Sequence, residues 1–221
     1  MSAILFGSIS TLADTSELQR QAFNDAFEAF ALDWQWSRED YRSMLTSSGG
    51  ANRIEEYAAS RGQDVDAAAV HAKKSQLFQD LLRTADVSPR PGVVETVEEA
   101  KRGQHKVGFV TTTSQGNIDA LLSALRPHIS AEMFDLIVAS DSVSSPKPDP
   151  AAYEFALERL GEDTTSVVAI EDNVGGVKAA KAAGITCIAF PNANTAGGDF
   201  STAAETVDSL DAGRVVGIAT S

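Results

Sequence analysis

Apolar positions along the chain follow two rhythms. Short unbroken runs occur at AILF (3–6), KVGFV (106–110), SVVAI (166–170) and ITCIAF (185–190), with a fifth candidate in DLIVA (135–139). A run that is apolar at every position, instead of every second one, predicts a strand covered on both faces. Between the runs, apolar residues recur at helical spacing. Val94, Val97 and Ala100 follow Pro91-Gly92, while Ile118, Leu121, Leu122 and Leu125 form a second stripe and Tyr153, Ala156, Leu157 and Leu160 a third. For the third, Asp149 is the expected N-cap, Pro150 the first helical residue and Gly161 the residue just past the end. Strand and helix in alternation predict an α/β fold, a parallel sheet with helices on both faces.

Residues 15–88 break the alternation. They hold one stripe of Leu18, Ala22, Phe23, Ala26, Phe27 and Phe30, another of Val70, Leu77, Phe78, Leu81 and Leu82, and Gly49-Gly50 between them, with no strand pattern. This predicts a helical domain at 15–88 inserted into a core made of 1–14 and 89–221. An insert after the first strand overhangs the carboxyl ends of the strands, where ligands bind in open α/β sheets.

Composition narrows the partners. With 221 residues, 43% of them hydrophobic, the chain can bury a sizeable core. Its 31 acidic residues outnumber 18 Lys and Arg, for a net charge of −13 spread along the sequence. That balance repels polyanions, so nucleic acid is not expected as a partner. No stretch approaches the roughly 20 apolar residues of a membrane span, and the first run lacks the basic flank of a signal peptide. The lone Cys187 lies in an apolar run, where it is expected to act as a small buried hydrophobe. A reducing cytoplasm is the expected location.

Three strand ends carry polar residues. Val110 leads into Thr111-Thr112-Thr113-Ser114, hydroxyls and amides suited either to an anion or to capping the next helix. SSPKPDP holds Lys147 between prolines, as a functional cation or an ordinary surface lysine. Ile170 leads to Glu171-Asp172-Asn173 and then Gly175-Gly176. Adjacent carboxylates at the end of a buried strand need a metal or a cation, unless Asp172 or Asn173 serves as a helix cap.

In this order the motifs resemble those of the haloacid dehalogenase (HAD) superfamily: Thr111, Lys147 within SxPKPDP, and Glu171-Asp172 within AIEDNxGGxxAAxAAG. RPGVVETVEEAKRG (90–103) is similar to the segment that enters that family's second strand. TLADTSELQRQAFNDAF, Asp33-Trp34, SGGANRI (48–54) and TTTS (111–114) resemble the branch of beta-phosphoglucomutases and CbbY-type sugar-phosphate phosphatases. The resemblance runs the length of the chain. It implies a HAD-like Rossmannoid core with a helical cap and a small phosphorylated metabolite as ligand. Thr111, Thr112 and Lys147 would bind phosphate, Asp172 with Glu171 would bind Mg²⁺, and Glu17, Gly49, Gly50 and Arg53 would meet substrate from the cap.

The same resemblance exposes a loss. In such enzymes the first strand ends in DxDGT, whose first Asp is the nucleophile and a Mg²⁺ ligand and whose second Asp is the acid/base. Here the stretch reads Gly7-Ser8-Ile9-Ser10-Thr11, so neither acid is present at Gly7 or Ile9. The nearest carboxylate, Asp14, falls where the family already carries an acid. Ser8, Ser10 and Thr11 have no histidine beside them in sequence, since His71, His105 and His128 lie outside these motifs. Lys147, without a nucleophilic Asp, is free to pair with Asp172 or Glu171. Gln19 and Ala51 replace the His and Lys common in the branch. The expectation is a HAD-type phosphatase relative with impaired catalysis, weak or absent Mg²⁺ and retained phosphosugar binding. The rival readings are a phosphohydrolase using activated water and a regulatory or scaffolding protein.

Overall fold

A computed structural model of the chain describes residues 2–45 and 49–220; Ser48 of SGGANRI lies outside them. Six parallel strands run in the order β3-β2-β1-β4-β5-β6. They are β1 Ala3–Phe6, β2 Lys106–Val110, β3 Leu136–Val138, β4 Val167–Glu171, β5 Thr186–Ala189 and β6 Glu205–Thr206. All five apolar runs form strands. β6 follows no apolar run, being a two-residue edge pairing of Ile188 with Glu205 and Ala189 with Thr206. The order reverses direction at β1 and β4, which places a crevice at their carboxyl ends.

Side chains alternate across the sheet, and each face is sealed by helices. Ile4, Phe6, Val107, Phe109, Val168 and Ile170 pack on α6 (Val93–Arg102), α7 (Gln115–Ala124) and α10 (Ala212–Ala219). Leu5, Val110, Ala169 and Cys187 pack on α8 (Ala151–Leu160) and α9 (Val174–Ala182). Burial on both faces explains why the strands read as continuous apolar runs. It also pushes the Cys187 thiol up, leaving it inert. At the start of α8 the boundary shifts by one: Pro150 is the N-cap, and Asp149 Oδ1 accepts from the Ala151 amide at 2.9 Å. Gly161 closes the helix in the left-handed region at φ +67°.

Between β1 and β2 the chain forms a one-turn α1 (Ile9–Leu12) and then α2 (Ser16–Ala29), α3 (Arg38–Met44), α4 (Gly50–Ser60) and α5 (Ala67–Thr84). The last four build a core of their own from Phe23, Phe27, Trp34, Trp36, Tyr41, Ile54 and Val70. Aromatic side chains dominate it, with Trp36 4.7 Å from Phe27 and 4.9 Å from Phe23 between ring centroids. Phe30, grouped by spacing with the α2 stripe, sits just past the helix end and is exposed. Phe78 and Leu82 of α5 join the main core instead, fastening the insert to the sheet. Among the described residues, no helix is long and apolar enough to cross a membrane.

Trp36 is fully buried at the centre of the aromatic cluster. Trp36→Ala is expected to cost about 3–5 kcal/mol in urea unfolding, with loss of the near-ultraviolet signal of the cluster before that of the sheet.

Candidate functional site

Strand alternation decides what meets at the carboxyl ends of β1 and β4. Phe6 and Ile170 face one helical layer, so the next residues, Gly7 and Glu171, face α8 and α9. The Glu171 carboxyl is fully buried there. Its Oε1 accepts from Lys147 Nζ at 2.7 Å and from the Tyr153 hydroxyl at 2.8 Å, while Oε2 has no hydrogen-bond partner among the described residues. A Cβ on Gly7 would overlap this carboxyl and the Tyr153 hydroxyl, and a Cβ on Gly176 would overlap the carboxyl from the other side. Glu171 thus occupies a slot between two glycines. Burial raises its carboxyl above the ordinary range, against the pull of Lys147.

Lys147 Nζ also donates to the carbonyls of Gly7 and of Val110, the latter at 2.6 Å. An ammonium has three protons, and Gly7, Val110 and Glu171 take all three. The lysine expected at the phosphate is turned into the protein, where it joins the ends of β1, β2 and β4.

Asp172 is also engaged. Its Oδ1 accepts from Ser8 Oγ at 2.5 Å and Asn173 Nδ2 at 2.8 Å, and its Oδ2 accepts from Asn192 Nδ2 at 2.7 Å. Asn173, not Asp172, is the helix cap, accepting from the Gly176 amide at 2.9 Å. The family implies Mg²⁺, but the donors present do not fit it. Glu171 is directed at Lys147, Asp172 is held by three neutral donors, and Gly7 and Ile9 contribute no carboxylate. Among the described residues, no group of three His, Cys, Asp or Glu could hold a metal ion.

Above this floor lies a cavity of about 650 Å³ between the sheet and the insert, a size suited to a small molecule. Of the residues expected to bind phosphate, metal or substrate or to mark the missing acids, Ile9, Gly50, Arg53, Thr111, Thr112 and Asp172 line it. Glu171, Lys147, Gly7, Glu17 and Gly49 do not. Thr111 accepts from the Thr113 amide at 3.3 Å, and Ser114 is the N-cap of α7 without a side-chain capping bond, so the TTTS turn presents hydroxyls to the cavity. The basic groups come from the insert. Arg53 lies over Tyr41, its guanidinium carbon 5.9 Å from the ring centroid, and Lys74 is buried beside Gln19. His71 approaches closely because Gly50 has no side chain, and burial lowers its pKa to about 4, so it is neutral at neutral pH.

Residues 191–196 tie the insert to the core, which sequence reasoning missed. Asn194 Nδ2 donates to Glu17 Oε1 at 2.7 Å, and Arg42 donates to Asn194 Oδ1 at 3.0 Å and to the Ala193 carbonyl at 2.6 Å. Glu17 also pairs with Arg20 and Arg38, each at 3.1 Å. Arg90 clamps the second crossing, donating to the carbonyls of Ser10, Phe190 and Pro191. The available signal was the polar PNANT directly after the ITCIAF run, at a strand's carboxyl end.

A parallel sheet with this strand order, its strand-end cavity roofed by a helical insert, defines a capped α/β protein with room for a small molecule at the strand ends. The chain belongs to the haloacid dehalogenase-like hydrolase family, whose profile matches residues 6–190. Protein CbbY of Cereibacter sphaeroides is 39% identical over 211 residues, covering 94% of this chain and 92% of that protein. The Phosphorylated carbohydrates phosphatase of Thermotoga maritima is 31% identical over 84% of this chain and 82% of its own length. Crystal structures of CbbY from Rhodobacter sphaeroides, one in complex with phosphate and one of a mutant with xylulose-(1,5)bisphosphate, each superpose with a TM-score of 0.86 at 39% identity, covering 95% of this chain and 94% of that one. The branch of CbbY and beta-phosphoglucomutase is therefore the one to which the sequence motifs pointed.

Two outcomes test this geometry. Glu171→Ala leaves Lys147 buried without its counter-charge and is expected to lose about 3–5 kcal/mol of stability; Gly7→Ala, which crowds the same slot, is expected to lose about 1–3 kcal/mol, both read from urea midpoints. The second concerns pH. Burial alone would raise Glu17, but hydrogen bonds from Arg38, Asn194 and Arg20 outweigh it and hold the carboxyl down at about 2, against 4.5 in the unfolded chain. A depressed carboxylate adds stability that is complete above pH 4.5 and lost as pH falls towards about 2. Glu17→Gln is expected to flatten the parent's stability profile across that window.

Proposed function

We propose that this protein binds a phosphorylated sugar in the cavity between sheet and insert and does not hydrolyse it by the aspartyl-phosphate route of its family. The observation that carries this reading is the Glu171 carboxyl in the space beside Gly7, holding Lys147. A nucleophilic side chain at position 7 would need the Glu171 carboxyl and the Tyr153 hydroxyl to move out of that slot. The TTTS turn and the first amides of α7 remain as hydrogen-bond donors for an anion, and Arg53 supplies charge from the insert. Binding of phosphate and of xylulose bisphosphate by the CbbY structures supports the same ligand class here.

Hydrolysis by water activated at Asp172 has less support, because both carboxylate oxygens already accept hydrogen bonds from Ser8, Asn173 and Asn192. The test is phosphate release from a panel of sugar phosphates, including xylulose 1,5-bisphosphate, with and without Mg²⁺. The expected outcome is no turnover by the parent, a rise in Tm with at least one sugar phosphate, and turnover gained by the double variant Gly7→Asp with Ile9→Asp. Turnover by the parent that Asp172→Ala abolishes would overturn the impaired reading. Absence of any thermal shift across the panel would favour a regulatory or scaffolding protein.

A further inference from the structure

Where α5 of the insert crosses α7 of the core, three polar side chains form a chain of hydrogen bonds that ends in the cavity. Gln79 Nε2 donates to Asn117 Oδ1 at 3.0 Å, and Asn117 Nδ2 donates to Thr113 Oγ1 at 2.8 Å. All three residues line the cavity, and Asn117 is buried. The approach depends on Gly116, because a Cβ there would stand 3.0 Å from Gln79 Nε2. Phe78 and Leu82, which flank Gln79 on α5, pack into the main core and hold the crossing in place.

A side-chain amide has a donor end and an acceptor end, and a hydroxyl has a single proton. Gln79 fills the acceptor end of Asn117, which leaves the donor end for Thr113. Thr113 Oγ1 therefore accepts from Asn117, and its own proton has no acceptor among the described residues. We propose that Gln79 and Asn117 are positioning residues that fix the Thr113 hydroxyl as a hydrogen-bond donor to a phosphate oxygen in the cavity. The proposal rests on the phosphosugar reading above and adds how the insert acts on the sheet side of the site.

The backbone of the turn is held separately. The Thr113 amide donates to Thr111 Oγ1 at 3.3 Å, and the Ser140 amide donates to the Thr113 carbonyl at 2.8 Å. These bonds place the Thr113 side chain but leave its proton free to rotate. The amide chain supplies the missing direction. Phosphate offers strong acceptor oxygens, so a hydroxyl of this polarity favours it over a ligand group that must donate. Because the chain begins on α5, displacement of the insert from α7 frees Asn117 to turn and to take the Thr113 proton on its own carbonyl. Phosphate affinity is thus set in part by how the insert is seated.

Binding of inorganic phosphate and of xylulose 1,5-bisphosphate to the full-length protein is measured by titration calorimetry. Thr113→Val keeps the shape, removes the hydroxyl and is expected to weaken binding by about 10-fold; Thr113→Ser is expected to bind like the parent. Gln79→Glu offers only acceptors, so Asn117 turns its NH2 to position 79 and its carbonyl to Thr113, whose proton then points into the protein. The expected loss is about 10-fold in the parent background and less than about 2-fold in Thr113→Val, since the two changes act through one hydroxyl. Asn117→Asp makes the same reversal one link further on, so either variant serves if the other fails to fold. Gln79→Met, which leaves Asn117 free to turn, is expected to fall between the parent and Gln79→Glu. Unchanged binding by Thr113→Val would overturn the proposal. Equal losses from Gln79→Glu in both backgrounds would overturn it too, because an added negative charge would then account for the effect alone. Failure of the parent to bind either probe would overturn the phosphosugar reading and the proposal with it.

Discussion

The pairing of Lys147 with Glu171 governs this molecule. A single ammonium joins the Gly7 carbonyl at the end of β1, the Val110 carbonyl at the end of β2 and the Glu171 carboxylate at the end of β4. These are the three strands whose carboxyl ends form the floor of the crevice. Desolvating two charges is expensive, and the attraction between them repays it only with good geometry and further hydrogen bonds. Tyr153 supplies one such bond, and the two backbone carbonyls supply others. The orphaned Oε2 shows that the compensation is incomplete. The glycines at 7 and 176 follow from this pair, since neither position has room for a Cβ while the carboxyl lies between them.

Lys147 is therefore closed off from the cavity, and the consequences extend upwards. Asp172 faces the cavity but is held by Ser8, Asn173 and Asn192, none of them charged. The basic groups that reach the cavity, Arg53 and Lys74, are carried by the insert. The insert in turn is fastened to the core by Glu17, Arg42 and Asn194, and by Gln79 of α5 donating to Asn117 of α7 at 3.0 Å. A ligand entering this space meets hydroxyls, amides and the Asp172 carboxylate from the sheet side and the Arg53 guanidinium from the helical side. Contacts at the seam thus bear on affinity as well as on the position of the insert.

Much of this was legible in the sequence, for identifiable reasons. Strands buried on both faces leave unbroken apolar runs, so the five main strands could be read directly, while β6 could not because an edge of two residues carries no pattern. The helical insert followed from stripes at 3.6-residue spacing. Position 7 was legible because an acid was missing at a point fixed by Phe6 and Thr11. The direction of Lys147 was open: its pairing with Glu171 depends on which face each side chain takes at the end of its strand. Glu17 was expected at the substrate and stands at the seam instead, where Asn194, over 170 positions away in sequence, completes its hydrogen bonds. Lys74 was hidden among ordinary helical lysines, because nothing in AAAVHAKKSQLF distinguishes the buried Lys74 from its half-buried neighbour Lys73 except the register of the stripe.

That register ties the altered floor to the roof. Lys74 falls between Val70 and Phe78 on the inner face of α5, at the spacing of residues that build the core. A lysine there is costly, since burial disfavours its charge and Arg53 adds to the penalty. A purely structural position would be better filled by an apolar side chain of similar length, which would pack equally well between Phe23 and Phe78. A buried amine in contact with a cavity is the kind of local inconsistency that marks a site kept for binding and not for stability. The altered floor and the cation on α5 meet across one cavity, because α5 packs on both cores, through Val70 in the insert and through Phe78 and Leu82 against the sheet.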